Sequence, residues 1–246
     1  MKFNWARSLR LTLATTGAVL LLLTLSLGWW TITTDSNPLT LPGGHDYHFQ
    51  ATASYLPGSS FRFWCSVNDS SAPGWGTICP GTQPIGELNP YNDPISGSTH
   101  VGALYNNLEV AVWLMGLIGL AGAIMLGLRG LISPGRLRTA LGIGWVVLVV
   151  AAILAFAVPL GVLMAQTTAY SQDHPGDSRS VGTFWGSCQS TGDPTECGYN
   201  TTETWGAGPA WYLSFLAGGL LLTAACTERA SIRRGNPASS PKSHGD

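Results

Sequence analysis

Four long apolar stretches constrain the fold of this chain more than any other feature. They cover residues 11–30, 110–128, 139–165 and 208–227, and none has Asp, Glu, Lys, Arg or His in its interior. A helix needs about 20 apolar residues to cross the hydrocarbon core of a bilayer. The sequence therefore predicts an integral membrane protein whose transmembrane domain, residues 1–231, is an all-α four-helix bundle.

The low charge content excludes several classes of protein. Charged residues make up 10% of the 246 residues and hydrophobic residues 45%, whereas a soluble domain has about 25% charged residues. A nucleic-acid binder would need a basic surface for its phosphate contacts. We therefore expect neither a soluble enzyme domain nor a nucleic-acid partner, and the bilayer itself is the first expected partner.

The charges outside the apolar stretches predict the orientation. Ten of the twelve basic residues and two of the thirteen acidic residues fall on one side, which gives net charges of +8 there and −9 on the other side. Basic segments stay in the cytoplasm. We expect a multi-pass protein of the cell (plasma) membrane with both termini cytoplasmic, extracytoplasmic loops at 31–109 and 166–207, and a disordered cytoplasmic tail at 232–246.

The first apolar stretch has a second interpretation, which is a cleaved signal peptide. Its apolar run of about twenty residues exceeds the usual 7–15 of a signal peptide, and no A-x-A site follows it. We expect it to be retained as a span. Trp29 and Trp30 at its end, and Trp205 and Trp211 near the fourth span, resemble an interfacial aromatic belt.

The outer loops contain four of the five cysteines, two in each loop. These are Cys65 and Cys79 in the first loop and Cys188 and Cys197 in the second. An oxidising compartment favours two disulfides among them. Three connectivities are possible; a bridge within each loop is the favoured one, and free thiols or a metal site are the alternatives. Cys226, in the fourth span, is expected to be a buried packing residue, with acylation as the alternative.

The first outer loop has the alternation of a β-hairpin. Aromatic and small apolar residues fall on every second position from Tyr47 to Tyr55, a Pro-Gly-Ser-Ser turn follows, and the alternation resumes from Phe61 to Val67. Period two indicates half-buried strands. The rest of this loop, 69–100, is rich in Pro, Gly, Asn and Ser and is expected to be irregular. The predicted fold is thus a membrane helix bundle with a small antiparallel β layer in the outer loops.

This combination resembles the claudin and peripheral-myelin-protein superfamily of four-span proteins. In that superfamily the first outer loop has a tryptophan followed by two bridged cysteines, and Trp64, Cys65 and Cys79 occupy comparable places here. Trp30 ends the first span as a tryptophan of the superfamily does. The chain departs from the pattern because Arg62-Phe63 replaces the Gly-Leu before the tryptophan, and because the second loop has its own cysteine pair. The resemblance implies lateral or cell-to-cell assembly through the outer sheet.

Other motifs predict candidate sites. Small residues at spacing four, Gly119, Ala123 and Gly127 with Ser214 and Gly218, predict close helix packing, within the bundle or between copies. His45 and His48, with His100 or Asp173-His174 as further ligands, are the one candidate metal cluster, although residues three apart on a regular strand face opposite sides. Asn68 and Asn200 begin glycosylation sequons. Pro159 predicts a kink in the third span, or a break in it as in some transporters.

The sequence predicts a non-catalytic function. We expect no cofactor and no enzymatic activity, because no catalytic motif occurs. The span interiors have no Asp, Glu, Lys, Arg or His, which counts against a proton-coupled transporter or pump. The expected function is that of an interaction or accessory subunit whose outer β layer contacts another membrane or surface protein, or a second copy. An oligomeric channel or pore-forming subunit is the first alternative. A membrane metal-binding protein or enzyme that uses the outer histidines is the second.

Overall fold

The structure, a computed structural model, describes residues 5–36, 39–40, 46–58, 60–67, 85–90, 99–132, 135–175, 183–189 and 201–235. The chain divides into two compact units. The helical unit comprises Met1–Leu22, Trp113–Ala157 and Ser214–Asp246, and the sheet unit comprises Leu23–Val112 and Val158–Leu213. The division also separates the charges, because the helical unit contains ten of the twelve basic residues and two of the thirteen acidic ones.

Four helices are long and apolar enough to span a membrane. They are α1 (Trp5–Leu23), which continues as a 3-10 turn at Thr24–Ser26, α2 (Thr99–Leu131), α4 (Gly144–Asp173) and α5 (Pro209–Gly235). The short helix α3 (Arg136–Ala140) and a 3-10 turn (Leu141–Ile143) precede α4. The four predicted spans are thus confirmed as apolar helices, and α4 continues through Pro159 without a break.

The ends of the predicted spans need correction. The first helix begins at Trp5 and has ended before Trp30, which opens a strand. Trp29 and Trp30 are fully buried and Trp205 is nearly so, so these three are not interfacial belt residues. Helix α5 continues to Gly235 and includes the first four residues of the predicted tail; residues 236–246 lie outside the described part of the chain.

Both outer segments contribute to one antiparallel sheet of six strands. The strands are β1 (Trp30–Ser36), β4 (Phe49–Tyr55), β5 (Ser60–Val67), β6 (Ile85–Pro90), β7 (Gly186–Gln189) and β8 (Thr201–Ala207), and their order is β6-β5-β4-β1-β8-β7. A second sheet pairs β2 (Leu39–Thr40) with β3 (Asp46–Tyr47). The two outer segments are joined where β1 pairs with β8, from Trp30 opposite Ala207 to Ser36 opposite Thr201.

The predicted hairpin is confirmed as β4 and β5, which pair from Phe49 opposite Val67 to Tyr55 opposite Phe61. Tyr47 belongs instead to β3. The expectation of an irregular segment over 69–100 is wrong at Ile85–Pro90, because β6 pairs with β5 there, and at Thr99, where α2 begins. Residues 68–84 and 91–98 lie outside the described residues.

The four long helices of the helical unit pack as a ring. A Cβ on Gly119 of α2 would contact Ala18 of α1, and one on Gly122 would meet Leu148 of α4. Gly218 of α5 lies against Ala155 and Phe156 of α4, and Gly17 of α1 lies against Leu221 of α5. These contacts give the order α1, α2, α4, α5 around the bundle, and Gly119 of α2 also lies near Leu221 of α5 across it.

The small residues predicted to form a packing ladder contact other helices of the same chain. Gly119 lies against Ala18, Gly127 lies within van der Waals range of Leu11, and Gly218 packs on Phe156. Ala123 and Ser214 are buried. In the structure these residues therefore serve the packing of this bundle.

The bundle buries small residues and exposes large ones. Its buried positions include many alanines, namely Ala14, Ala18, Ala123, Ala151, Ala152, Ala155, Ala217, Ala224 and Ala225. Its exposed positions include Val19, Leu114, Leu117, Ile124, Ile153 and Leu216. A soluble protein rarely exposes such an apolar surface, whereas close contacts between small residues with large side chains facing lipid are typical of membrane helices.

Cys226 is exposed, so its predicted burial is wrong.

The β1–β8 ladder continues into the loops that lead to α1 and α5, and this close approach predicts the effect of a substitution. Gly208 donates its N–H to the Trp29 carbonyl at 2.9 Å, and a Cβ there would collide with the Gly28 backbone. We expect Gly208→Ala to lower the free energy of unfolding by about 3 kcal/mol, since backbone atoms cannot move aside. Denaturant titration in mixed micelles measures this change.

Gly161→Ala is the matched control, because a Cβ on Gly161 meets no atom within 4 Å. It should leave stability unchanged or raise it by up to about 1 kcal/mol through helix propensity. Equal effects of the two substitutions would contradict the close approach.

Candidate interaction surface

One face of the six-stranded sheet is buried and largely apolar, although Ser36, Thr201 and Glu203 are buried on it as well, and the other face carries mostly polar side chains. Residues directly opposite each other in an antiparallel pair point to the same side, so the register assigns Trp30, Ile32, Ala51, Tyr55 and Trp205 to a common face. All five are at most 8% exposed. The other face is the candidate site, because several of its side chains, Thr33, Gln50, Arg62 and Thr204, are exposed.

The buried face packs on the outer ends of two helices through aromatic rings. The Trp30 ring lies 5.2 Å from Tyr55 of β4 and 5.3 Å from Tyr170 of α4, measured between centroids. Tyr55 in turn lies 5.8 Å from Tyr105 of α2. Aromatic pairs at such distances add about 0.5–1.5 kcal/mol each beyond the burial of their area. This cluster fixes the sheet to α2 and α4.

Trp30 also joins the two outer segments by a hydrogen bond. Its Nε1 donates to the carbonyl oxygen of Phe184, in the second outer segment, at 3.0 Å. Because the side chain is fully buried, the indole N–H would otherwise lack a partner at a cost of about 1–3 kcal/mol. One side chain thus contacts the first segment through Tyr55, the second through Phe184, and α4 through Tyr170.

The opposite face carries rows of polar side chains. One row crosses five strands, through Trp64, Thr52, Thr33, Thr204 and Ser187 in the order β5, β4, β1, β8, β7. Neighbouring strands lie about 4.8 Å apart, so the row extends roughly 19 Å. We call this surface the hydroxyl face; its other members are Thr31, Asp35, Gln50, Ser54, Arg62, Ser66, Gln189 and Thr202.

The hydroxyl face is accessible and nearly balanced in charge. Thr33, Gln50, Arg62 and Thr204 are exposed, while Thr52 and Trp64 are half-buried. Threonine, serine and glutamine can each donate and accept hydrogen bonds. Such a surface can form a polar interface with many hydrogen bonds, and its regular strand spacing gives those bonds fixed positions.

A carboxylate orders the outer ends of α2 and α4. Asp173, the last residue of α4, accepts hydrogen bonds from the backbone N–H groups of His100 at 2.9 Å and Val101 at 2.8 Å, and from the Thr99 hydroxyl at 3.1 Å. His100 Nδ1 lies 2.7 Å from the same carboxylate. Asp173 therefore caps the N-terminus of a different helix, where a negative charge is favourable.

The candidate metal ligands do not come together among the described residues. His48 Nε2 lies 2.7 Å from an Asp35 carboxylate oxygen, and His45 lies outside the described residues. His100 pairs with Asp173, while His174 stacks on Tyr170 at 4.5 Å between centroids. Within the described part of the chain, no group of three or more His, Cys, Asp or Glu could hold a metal ion.

The two described outer cysteines lie far apart in the sheet. Cys65 is on β5 and Cys188 on β7, with β4, β1 and β8 between them. Four strand spacings amount to roughly 19 Å, well beyond the roughly 7 Å that a bridge allows between Cα atoms. This distance excludes a Cys65–Cys188 bridge and leaves two of the three connectivities. Cys79 and Cys197, like the sequon residues Asn68 and Asn200, lie outside the described residues.

Sequence reasoning missed β1 and β8 and with them five of the thirteen residues of the hydroxyl face. Thr31, Thr33, Thr202 and Thr204 alternate with buried residues, and that period-two signal could have identified both strands.

Compared with known proteins, the chain matches no family model and no curated protein.

The contacts of Trp30 predict a graded loss of stability. Trp30→Ala should lower the free energy of unfolding by about 3–5 kcal/mol, because it removes a fully buried ring. Trp30→Phe should cost less, chiefly the hydrogen bond to Phe184, or about 1 kcal/mol. Trp113→Ala is the control, since Trp113 is 46% exposed; a loss equal to that of Trp30→Ala would contradict the assigned role.

The Asp173 cap predicts a second, independent loss. Asp173→Ala should lower the free energy of unfolding by about 2 kcal/mol, because several backbone and side-chain donors lose their acceptor. Ser171→Ala is the matched control on the same helix end, because the Ser171 hydroxyl donates to the Thr168 carbonyl of its own helix. Hydrogen exchange should show increased opening at the N–H groups of His100 and Val101 in the Asp173 variant alone.

Proposed function

We propose that the protein is a non-catalytic interaction or accessory subunit of the plasma membrane, and that its hydroxyl face binds another membrane or surface protein. One observation carries the proposal. Strands from both outer segments form a single sheet that packs on helix ends through Trp30 and Tyr55, while Thr33, Gln50, Arg62 and Thr204 on its other face are exposed. A surface held this rigidly can offer hydrogen bonds without first paying to order its own loops.

The proposed topology places both termini in the cytoplasm and the sheet outside. It is supported by the charge difference between the two units, since basic residues concentrate in the helical unit and stay on the cytoplasmic side of a membrane. We further propose a disulfide within each outer loop, Cys65 with Cys79 and Cys188 with Cys197. Its support is that Cys65 and Cys188 each have a bonding partner, and that those two cannot reach each other.

Kinship with the claudin-like superfamily is part of the same proposal. Its support is that Trp64 and Cys65 lie in β5, and that Trp30 is the first residue of β1, the strand that follows α1. It leads to the same expectation, which is assembly through the outer sheet.

The proposal predicts where a partner will cross-link. A photo-reactive amino acid at Thr33 or Thr204, both exposed on the hydroxyl face, should give a discrete adduct with one defined protein in intact membranes. The same amino acid at Gln172, which is exposed but belongs to α4, should not. Mass spectrometry of the adducts identifies the partner.

A charge on the face should then disrupt that complex. Thr33→Arg should weaken binding of the identified partner by about thirtyfold or more and reduce its co-purification, because a buried unpaired charge at an interface costs about 2 kcal/mol or more. Gln172→Arg should leave co-purification unchanged. Equal adducts at the hydroxyl face and at Gln172 would favour non-specific contact, and adducts only with a second copy of the chain would favour self-assembly. Either result would contradict an accessory function.

A further inference from the structure

A polar pocket of about 220 Å³ lies in the helical unit, at the ends of the helices where the basic residues concentrate. Helix α1 contributes Arg7 and Arg10, α2 contributes Arg129, and α3 contributes Arg138. Helix α5 contributes Glu228 and Ser231. We call these six residues the arginine pocket.

One carboxylate in the pocket pairs with two of the arginines. Glu228 is 8% exposed and accepts a hydrogen bond from Arg10 Nη1 at 2.7 Å and another from Arg129 Nη1. Arg7 Nη2 donates to the carbonyl oxygen of Gly127 at 3.3 Å. The ion pairs hold guanidinium groups of α1 and α2 in fixed positions around the pocket.

The pocket keeps an excess of positive charge. Four arginines face a single glutamate, which leaves a net charge of +3. The whole helical unit contains one further acid, Asp246 at the end of the chain. The acidic residues of the helical unit are therefore too few to neutralise its arginines. An anion from outside the chain would neutralise part of the remaining positive charge in the pocket.

The donors favour a phosphate group. Guanidinium presents paired N–H donors whose geometry matches phosphate oxygens, and Ser231 adds a hydroxyl. A phosphate monoester has about −1.5 to −2 charge at neutral pH, which suits the excess of three better than a single carboxylate would. Basic pockets between membrane helices on the cytoplasmic side are typical sites for lipid headgroups.

A second cavity beside the pocket indicates that the phosphate belongs to an amphiphile. This apolar groove of about 330 Å³ runs between α1 and α5, lined by Ala6, Leu9, Thr227 and Ala230, and it shares Arg10 and Ser231 with the arginine pocket. A charged pocket that opens into an apolar groove fits a polar head with a hydrocarbon chain.

We propose that the arginine pocket binds the phosphate of an anionic phospholipid headgroup, with the lipid's apolar part in the adjoining groove. The inference goes beyond the proposed function and does not depend on the hydroxyl face. Loss of the partner in the cross-linking experiment would leave it standing, and loss of lipid binding would leave the hydroxyl face unaffected.

Native mass spectrometry of the purified full-length chain in detergent tests the inference. Dioleoyl phosphatidic acid should bind at least about tenfold more tightly than dioleoyl phosphatidylcholine, because charge-assisted hydrogen bonds distinguish the two headgroups. Millimolar inorganic phosphate should not displace it. Equal binding of the two lipids overturns the proposal, and displacement by phosphate alone overturns its lipid assignment in favour of a soluble phosphate compound.

Matched variants locate the site. Arg7→Gln with Arg138→Gln removes two charges and leaves both ion pairs of Glu228 in place, and it should weaken phosphatidic acid binding about tenfold. Arg136→Gln, two residues from Arg138 on α3 but outside the pocket, should have no effect. An equal loss in both would indicate general surface charge and overturn the proposal.

A third variant keeps every charged side chain and distinguishes a loss of lipid binding from a folding defect. A Cβ on Gly130 would overlap the Arg7 guanidinium, so Gly130→Ala should displace that group and weaken lipid binding several-fold while the thermal unfolding midpoint stays near that of the parent. Unchanged affinity in this variant and in the double variant together would overturn the site.

Discussion

The pairing of β1 with β8 is the interaction on which the rest of the sheet depends. These strands come from different outer segments and lie about 170 residues apart in the chain, and their ladder is the one that joins the four strands of the first segment to the two strands of the second. Without their ladder, the first segment would keep only its own strands and the second only β7 and β8. A two-stranded hairpin is marginal in water, so the second segment gains its order from the first. Trp30 strengthens the same junction from the buried face.

Local sequence patterns predicted the elements whose signal is local. The apolar stretches and the β4–β5 hairpin follow from hydrophobicity and from period-two alternation, both of which need no distant partner. β1 was hidden because Trp29 and Trp30 directly follow an apolar stretch and therefore resemble the aromatic end of a span. β6 contains Gly, Asn and Pro, residues with low strand propensity, and forms only because β5 offers it an edge. The pairing of β1 with β8 is a long-range contact that no window of the sequence contains.

The two candidate surfaces also depend on long-range contacts that local sequence patterns do not contain. Glu228 is one of two acidic residues on the basic side of the chain, and the prediction of orientation needed no more than this count. The count could not show that Arg10 and Arg129, from two other helices, converge on that carboxylate. Similarly, the threonines of β1 and β8 are unremarkable one at a time, and they become a continuous face only when the register aligns Thr33 with both Thr52 and Thr204.

The position of Glu228 explains how a cluster of arginines can exist at the end of an apolar bundle. Like charges held close together repel, and in partly buried surroundings this repulsion is screened less than in water. A carboxylate between Arg10 and Arg129 adds two attractions that offset the repulsion between these arginines, because each of its oxygens accepts a hydrogen bond from one guanidinium. Arg7 and Arg138 line the same pocket, where Arg7 Nη2 donates to the carbonyl oxygen of Gly127. Because removing one partner of a buried ion pair leaves an uncompensated charge, the bundle should tolerate changes at Arg7 and Arg138 better than changes at Glu228.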